Sequence, residues 1–254
     1  MLNEFSTKGS LKILQVTDTH LFANHSTLFG AQPNKNFDEV MNVIVKKELQ
    51  DTDFILLTGD LSQDESPETY QHLLESFIGC KKPVFWLPGN HDNEKIMSEV
   101  FSQHFLFNRI KFLELKHWNL LFINSKLEGS ENGYISFSDL NDVERNIKES
   151  EKNVALIMHH HPIPVNTPLI DQYILNNRDD LWRIISDSKV KLIITGHVHG
   201  DYSLFHHGVK IECSPASAFQ LKKGVATLQI ENSKGYKIHY LDGDQHRSKA
   251  VIWK

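Results

Sequence analysis

The sequence has little cysteine, and this excludes one large class of proteins. Cys80 and Cys213 are the only two cysteines among 254 residues, and they form no Cys-x-x-Cys pair. Secreted domains held together by disulfides use many cysteines, whereas free thiols are usual in a reducing compartment. The composition therefore favours a cytoplasmic protein with reduced thiols.

An excess of positive charge is also missing. The chain carries 27 Lys and Arg residues against 32 Asp and Glu residues, which gives a net charge of −5. A protein held on the phosphate backbone of a nucleic acid is expected to have a basic balance. The charge therefore disfavours a nucleic-acid partner.

Long hydrophobic runs are absent as well. No apolar stretch approaches the length of a membrane span, and the N-terminal MLNEFSTKGS lacks the charged and apolar regions of a signal peptide. The chain is 40% hydrophobic, enough for one large core, and it contains no repeat or linker that would divide it. We expect a soluble protein without a membrane partner and with a single domain over residues 1–254. Its oligomeric state, monomer or dimer, stays open.

Short apolar segments alternate with helical patterns through most of the chain. Segments rich in β-branched and aromatic residues are typical of buried strands, and six of them span 11–16, 54–58, 83–87, 119–124, 154–158 and 191–195. Periodicity and capping residues predict helices over 37–49, 66–77, 93–105, 138–149 and 179–188. The alternation predicts an α/β fold. After residue 200, short strands within 202–213, 224–231 and 236–242 predict an antiparallel end.

Polar side chains directly follow five of these strands. Ligands bind at the carboxyl ends of strands in open α/β sheets, so five clusters at five strand ends are expected to share one crevice. The clusters are Asp18 with His20, Asp60, the run Asn90–His91–Asp92, the run His159–His160–His161, and His197 with His199.

The residue types in these clusters fit a metal centre. Asp, Asn and His side chains without Cys suit ions such as Mn, Fe or Zn. In the pairs Asp18/His20 and His197/His199 the spacing points both side chains the same way from an extended segment. Glycines flank the clusters and allow sharp turns. Seven candidate ligands are too many for one tetrahedral ion and predict two ions that share a carboxylate.

A two-metal centre suits the hydrolysis of phosphate esters. The ions would bring more positive charge than Asp18 and Asp60 neutralise, so the centre would attract an anion. A water bridging both ions would be deprotonated near neutral pH and would attack phosphorus in line with the leaving oxygen. A histidine close to the ions but not bound to them would protonate the leaving group.

The ordered motifs Asp-x-His, Gly-Asp, Gly-Asn-His-Asp, His-His and Gly-His-x-His, from residue 18 to residue 199, resemble the calcineurin-like metallophosphoesterase superfamily. The stretches LQVTDTHLF, LPGNHD and HHHPIP look like its bacterial class III cyclic 3′,5′-AMP phosphodiesterase branch. The resemblance implies a β-sandwich of two mixed sheets flanked by helices in four αββα layers. It disfavours a protein phosphatase, because GDLSQDES lacks the arginine typical of that group and GNHDNE has Asp92 where that group has glutamate.

The resemblance also implies roles for individual residues. One ion would be held by Asp18, His20, Asp60 and His199. The second ion would be held by Asp60, Asn90, His159 and His197. The implied catalytic residues are His91, which would contact the phosphate or protonate the leaving group, and Asp92, which would orient His91. The implied substrate-binding residues are His20, Asp60, Asn90, His91 and His199.

Two regions beside these motifs have open roles. His160 and His161 are interpreted as neighbours of the ligands, because adjacent residues of an extended segment point in opposite directions. The segment 162–177 either caps the centre or serves as a spacer. Candidates for contact with a nucleotide are Asn176 or Asn177, and possible walls of the same pocket are Phe22 and His25.

These observations predict a metal-dependent phosphodiesterase that converts cyclic 3′,5′-AMP, or a related cyclic nucleotide, to the 5′-nucleotide. A phosphodiesterase for other small diesters, such as glycerophosphodiesters or 2′,3′-cyclic nucleotides, would use the same ligands. A non-catalytic scaffold is disfavoured because every ligand position holds a competent residue. A nuclease is disfavoured because no basic stripe is present. The ligands leave open whether the ions are Fe, Mn or Zn.

Overall fold

Two six-stranded sheets form the centre of the structure, a computed structural model that describes residues 4–254. Residues 1–3 lie outside the described residues. They belong to the predicted domain 1–254 and to the N-terminal segment that was predicted not to be a signal peptide. The strands are β1 (Ser10–Val16), β2 (Phe54–Thr58), β3 (Val84–Leu87), β4 (Phe107–Asn108), β5 (Phe112–Glu114), β6 (Trp118–Phe122), β7 (Asn153–Ile157), β8 (Val190–Thr195), β9 (Tyr202–His206), β10 (Val209–Cys213), β11 (Gln220–Leu221), β12 (Ile230–Glu231), β13 (Lys234–Asp242) and β14 (Gln245–Trp253).

Most of the helices follow strands, as in repeated β–α units. They are α1 (Pro33–Lys47), α2 (Pro67–Ile78), α3 (Glu94–Phe101), α4 (Phe137–Glu149) and α5 (Arg178–Ile185), with 3-10 turns at Leu49–Asp51 and Ile170–Tyr173. Helix α2 begins as predicted, because the Ser66 side chain accepts a hydrogen bond from the Thr69 backbone N–H and Pro67 fills the first helical position.

Both sheets are mixed. The first has the order β14-β13-β1-β2-β3-β4 and the second the order β5-β6-β7-β8-β10-β9. Strands β1 to β4 are parallel, as are β6, β7, β8 and β10, and the other pairs are antiparallel. The predicted fold class is thus confirmed, and the six predicted strands correspond to β1, β2, β3, β6, β7 and β8.

Alternation along the strands produces the layers. Phe54 and Leu56 of β2 pack between the sheets against residues such as Leu192 of β8. Ile55 and Leu57 point the other way, into the core under α1, α2 and α3, since successive side chains of a strand face opposite sides. The second sheet packs its outer face on α4 and α5. The resulting order of layers is helix, sheet, sheet, helix.

The C-terminal part differs from the prediction. Residues 224–231 were expected to form a strand, but only Ile230–Glu231 does so, in a two-residue pair with β11. Strand β10 is antiparallel to β9 as expected but lies parallel to β8, so this end is mixed. Among the described residues, no helix has both the length and the apolar character needed to cross a bilayer.

Candidate metal centre

The carboxyl ends of β1, β2, β3, β7 and β8 bring the predicted ligands together. Side chains from all five strand ends form overlapping groups of three whose ligand atoms lie within 4.8 Å of one another. Asn90, after β3, joins them with its Oδ1 atom 3.1 Å from His159 Nε2. The groups are Asp18–His20–His199, Asp18–Asp60–His159, His20–Asp60–His91 and His159–His160–His197.

The backbone at these positions is not extended, which corrects the predicted reason for the convergence. Asp18, His20, Asp60, His197 and His199 all have φ between 44° and 68°, in the left-handed region that residues other than glycine seldom adopt. Such conformations cost free energy and are concentrated at functional sites. The side chains of each pair therefore converge from tight turns after the strands.

These turns are tied to each other by main-chain hydrogen bonds. The N–H of Asp18 donates to the carbonyl of Gly59 (3.0 Å), and the N–H of His20 donates to the carbonyl of Asp60 (3.0 Å). Gly59 has φ of +94°, and a Cβ at Gly89 would collide with the Asp60 carboxylate. The two glycines thus allow the β2 and β3 turns to approach closely.

The hydrogen bonds of the histidine rings show which nitrogens face the centre. In each of four rings one nitrogen lies next to an acceptor oxygen and must carry the hydrogen, so the other nitrogen of a neutral ring holds a lone pair. The pairs are His20 Nδ1 with Gln63 Oε1 (2.7 Å), His159 Nδ1 with Thr58 O (2.7 Å), His199 Nδ1 with Phe219 O (2.9 Å) and His197 Nε2 with Tyr173 O (2.9 Å).

Two of the inward nitrogens face each other directly. His20 Nε2 lies 2.9 Å from His199 Nε2, and burial lowers the pKa of His20 to about 4 and that of His199 well below its usual value. Two neutral rings would place two lone pairs against each other there. A cation between them removes this repulsion, so the donor set fits a metal ion.

Asp60 lies between the two halves of the cluster. Its Oδ1 atom accepts a hydrogen bond from the His91 N–H (2.9 Å). Its Oδ2 atom lies 3.8 Å from His20 Nε2 and 3.3 Å from His159 Nε2. One carboxylate oxygen thus faces ligands of both predicted ions, which is the geometry a bridging ligand needs.

Burial and mutual charge shift the pKa values of the acids. Burial raises the pKa of Asp18 to about 7. Burial also opposes ionisation of Asp60, but the charge and hydrogen bond of His159 hold the pKa of Asp60 well below its usual value. Burial lowers the pKa of His159, yet the charge of Asp60 outweighs it and raises that pKa to about 9. Asp60 therefore attracts a positive charge to this position.

His91 is oriented by Gln63, and not by Asp92 as expected. Gln63 Oε1 accepts the Nδ1 hydrogen of His20. The Nε2 atom of Gln63 therefore donates to His91 Nδ1 (3.3 Å). A neutral His91 then carries its hydrogen on Nε2, which lies 3.4 Å from Oε2 of Glu131, another residue that lines the cleft. The conformation of Gln63 thus presents an N–H of His91 to the cleft.

Asp92 has a different role from the predicted one. Its buried carboxylate accepts hydrogen bonds from the N–H groups of Leu61 and Ser62 (both 3.0 Å) and Gly89 (2.9 Å), and from the Tyr70 hydroxyl (3.1 Å). These bonds join the turn after β2 to the turn after β3. Asp92 therefore fixes the backbone that carries Asp60 and Asn90.

The other histidines of the triplet do not point apart as expected. The chain bends after β7, and the rings of His160 and His161 pack 4.6 and 5.6 Å from the His197 ring. His160 Nδ1 contacts Ser125 Oγ (2.9 Å), and His161 Nε2 lies 3.5 Å from Asp171. All three rings of the triplet are thus buried around His197.

A cleft of about 440 Å³ opens beside the cluster. Its walls include Leu169, Ile170 and Tyr173 from the segment 162–177, which supports the cap interpretation of that segment. The suggested contacts with a nucleotide lie elsewhere. Asn177 bonds the backbone of Ile135, Asn176 is exposed outside the cleft, and neither Phe22 nor His25 lines it.

Several lining residues were missed by the sequence reasoning. The cleft includes Gln63, Glu131 and an apolar set consisting of Leu28, Phe29, Phe219, Leu221 and Leu228. Gln63 could have been considered, since it lies three residues after Asp60. Nothing in the sequence marks Phe29 or Phe219, because tertiary packing brings their loops to the cleft.

Comparison with known proteins connects this geometry to a family. A sequence model of calcineurin-like phosphoesterases matches residues 11–201. The chain is 33% identical over 219 residues to the 3′,5′-cyclic adenosine monophosphate phosphodiesterase CpdA of Vibrio vulnificus, covering 85% of this chain and 80% of that protein. It is 30% identical over 241 residues to CpdA of Escherichia coli K12, covering 93% and 87%. It is also 35% identical over 235 residues to a probable cyclic nucleotide phosphodiesterase of Coxiella burnetii, covering 91% and 93%.

Solved structures share the fold at low identity. Purple acid phosphatase PPD1 from yellow lupin aligns with a TM-score of 0.68 at 13% identity, over 96% of this chain and 54% of that chain. GAP50, the anchor in the inner membrane complex of Plasmodium, aligns with a TM-score of 0.67 at 14% identity, over 96% and 85%. Such a likeness establishes the fold alone.

Proposed function

This chain belongs to the calcineurin-like phosphoesterase family, and from that premise we propose that it is a metal-dependent phosphodiesterase that hydrolyses cyclic 3′,5′-AMP, or a related cyclic nucleotide, to the 5′-nucleotide. The observation that carries the proposal is a set of buried side chains whose potential metal-ligand atoms face one centre. In four of the histidines the other ring nitrogen is already hydrogen-bonded to an acceptor oxygen. The cyclic-nucleotide phosphodiesterases among its relatives support the choice of substrate.

We assign the candidate ligands to two ions in the same two sets that the sequence predicts. The first ion would be held by Asp18, His20, Asp60 and His199. The second ion would be held by Asp60, Asn90, His159 and His197. The close grouping of these donor atoms supports the assignment. Asp60 belongs to both sets because one of its oxygens faces both halves of the cluster.

When bound, the two ions supply positive charge that binds the phosphate and makes water acidic enough to act as the nucleophile at neutral pH. The chain itself positions the other groups. Gln63 holds the His91 ring with its Nε2–H towards the cleft, where this group can donate a hydrogen bond to the phosphate or to the leaving ribose oxygen. Asn90 directs its amide hydrogen to Glu131 (2.6 Å), which leaves its carbonyl oxygen facing His159 and the centre.

Two other functions remain as alternatives with defined tests. Other small phosphodiesters would use the same ligands, and only a panel of substrates separates them from cyclic nucleotides. A scaffold role is raised by the fold of GAP50, an anchor protein. The intact set of donors in this chain argues against that role.

The test is release of 5′-AMP from cyclic 3′,5′-AMP by the purified protein reconstituted with Mn, Fe or Zn, beside bis(p-nitrophenyl) phosphate. The Asp60→Ala variant serves as control. Activity on both substrates that is lost in the control supports the proposal. Activity on the aryl diester alone would reject the cyclic nucleotide, and inactivity on both with metal bound would favour the scaffold.

A further inference from the structure

An exposed phenylalanine lines the cleft from a hydrogen-bonded turn. Leu28 and Ala31 exchange two main-chain hydrogen bonds (3.1 and 2.9 Å), which closes a two-residue turn over Phe29 and Gly30. Phe29 has φ of 51° and Gly30 has φ of 85°, as in a type I′ turn. The Phe29 side chain is 59% exposed although it lines the cleft. A bulky residue with positive φ is uncommon, which suggests that its position is selected for function.

A row of rings leads from the cluster to this turn. His199 donates its Nδ1 hydrogen to the carbonyl of Phe219, and the two rings lie 4.8 Å apart. The Phe219 ring in turn meets Phe29 edge to face at 6.1 Å. Phe219 and Ala31 pack in one small buried cluster, so the turn is anchored to the wall behind it. The exposed ring is therefore connected to His199 through one intervening ring, that of Phe219.

We propose that Phe29, with Phe219 behind it, is the platform on which the purine base of the cyclic nucleotide stacks. The inference deepens the proposed function and rests on it. The lining of the cleft also includes the hydrocarbon side chains of Leu28, Leu169 and Leu228. Flat apolar walls bind any aromatic base, because every base has a π-face. The site thus selects a base by stacking and discriminates weakly between adenine and guanine.

Steady-state kinetics of Phe29→Ala test the platform. The substrates are cyclic AMP, cyclic GMP and the 1-O-methyl riboside 3′,5′-cyclic phosphate, which carries the same diester ring without a base. We expect KM for cyclic AMP to rise about tenfold with kcat nearly unchanged, the order of effect of one lost stacking contact. The base-free diester should be unaffected, and the wild-type kcat/KM values for cyclic AMP and cyclic GMP should agree within about tenfold.

Two further variants and a spectroscopic signal separate stacking from a structural effect. Phe29→Trp, which keeps an aromatic ring at this position, should have the wild-type KM for cyclic AMP. Phe205→Ala, at a phenylalanine that is 73% exposed on β9, should change nothing. Fluorescence of 2-aminopurine riboside 5′-phosphate, a product analogue that is quenched when its base stacks, should be quenched by the wild type and not by Phe29→Ala.

The outcomes distinguish this inference from the proposed function. Equal losses on cyclic AMP and on the base-free diester, or no effect of Phe29→Ala on cyclic AMP, would reject the platform. Equal KM values of the wild type for those two substrates would also reject it while leaving the proposed function intact. Failure of the wild type to hydrolyse either substrate would reject the proposed function, and the platform with it.

Discussion

Gln63 contacts two histidines with different proposed tasks, so its replacement can show which contact matters. Gln63→Leu removes the donor to His91 and the acceptor for His20. If the contact with His91 dominates, kcat for cyclic AMP should fall about 10- to 100-fold, because the ribose oxygen that leaves from cyclic AMP needs a proton donor. Hydrolysis of bis(p-nitrophenyl) phosphate should change little, since nitrophenolate leaves without a proton.

Comparison of the two substrates also defines the result that would contradict a role of Gln63 through His91. Equal loss of kcat on both would mean that Gln63 acts through His20 and the metal position. His91→Ala is the reference variant, and its loss should follow the same dependence on the leaving group. Gln71→Leu, on the exposed side of α2, controls for the change in polarity alone.

Asp60→Asn removes one charge with almost no change in volume. Because one Asp60 oxygen faces ligands of both ions, we expect the bound metal to fall from about two ions per chain to below one, and activity to fall roughly 1,000-fold or more. Metal analysis after dialysis measures the first effect. Asp64→Asn, in the cap of α2, is the matched control. Retention of two ions by Asp60→Asn would contradict the shared-ligand assignment.

The convergence of the candidate ligands could be predicted from the sequence because each follows a strand that is easily recognised. The left-handed backbone at Asp18 and His197 could not, because neither residue type requires it. The function of Asp92 was also misjudged. Adjacency in sequence to His91 suggested contact, whereas the carboxylate turns towards the N–H groups of Leu61 and Gly89.

At the scale of elements, the segment 162–177 joins the cleft to the cluster. Asp171 accepts hydrogen bonds from the N–H groups of Val165 (2.8 Å) and Thr167 (3.0 Å) and lies 3.5 Å from His161 Nε2. Two residues later, the carbonyl of Tyr173 holds the His197 ring. The segment therefore has a defined shape with a carboxylate at its centre.

Asp171→Ala should loosen this segment. The two N–H groups lose their acceptor, which costs on the order of 1–3 kcal/mol. We expect faster hydrogen exchange over residues 165–173 and a KM for cyclic AMP raised several-fold, with a smaller change in kcat. Asp180→Ala, on the surface of α5, is the control. Unchanged exchange and KM would show that the segment is held by its apolar contacts instead.

The elements that the sequence did not predict are those that depend on a partner. Strand β14 contains the polar run Gln245–Lys249 and has an exposed outer edge, so it lacks an apolar pattern. It forms because it pairs with all nine residues of β13. The central strands were predictable because burial on both faces demands continuous apolar residues. Residues 224–229 resemble a strand in composition but have no neighbouring strand to pair with among the described residues.

At the scale of the whole molecule, the two sheets are joined by polar side chains at one end of the sandwich. Glu212 of β10 reaches across to Lys237 of β13 (2.6 Å), and both side chains are buried. Gln15 of β1 donates to the Thr195 carbonyl of β8 (3.0 Å) and contacts His239 (2.9 Å). The contact between the sheets therefore combines a buried ion pair and buried hydrogen bonds with apolar packing.

The Glu212–Lys237 pair predicts how the stability of the molecule depends on pH. Burial opposes ionisation of Glu212, but Lys237 and Lys210 outweigh it and lower its pKa from 4.5 to about 2. A carboxyl whose pKa is lower in the folded state stabilises the fold at pH values above its unfolded pKa. That contribution, roughly 3 kcal/mol, is lost as the pH falls from about 4.5 to about 2.

Glu212→Gln tests this contribution by removing the charge while keeping the shape. It leaves Lys237 buried with Asp201 as its remaining carboxylate partner among the described residues, so the free energy of unfolding at pH 7 should fall by about 3 kcal/mol or more. Urea unfolding of wild type and variant, measured from pH 7 to pH 2, should give curves that converge at the acid end. Glu114 is an exposed partner of Lys152. The free energy of unfolding of Glu114→Gln should therefore follow the same pH dependence as that of the wild type. A constant difference between wild type and Glu212→Gln across this range would mean that the ion pair does not stabilise the contact between the sheets through its charge.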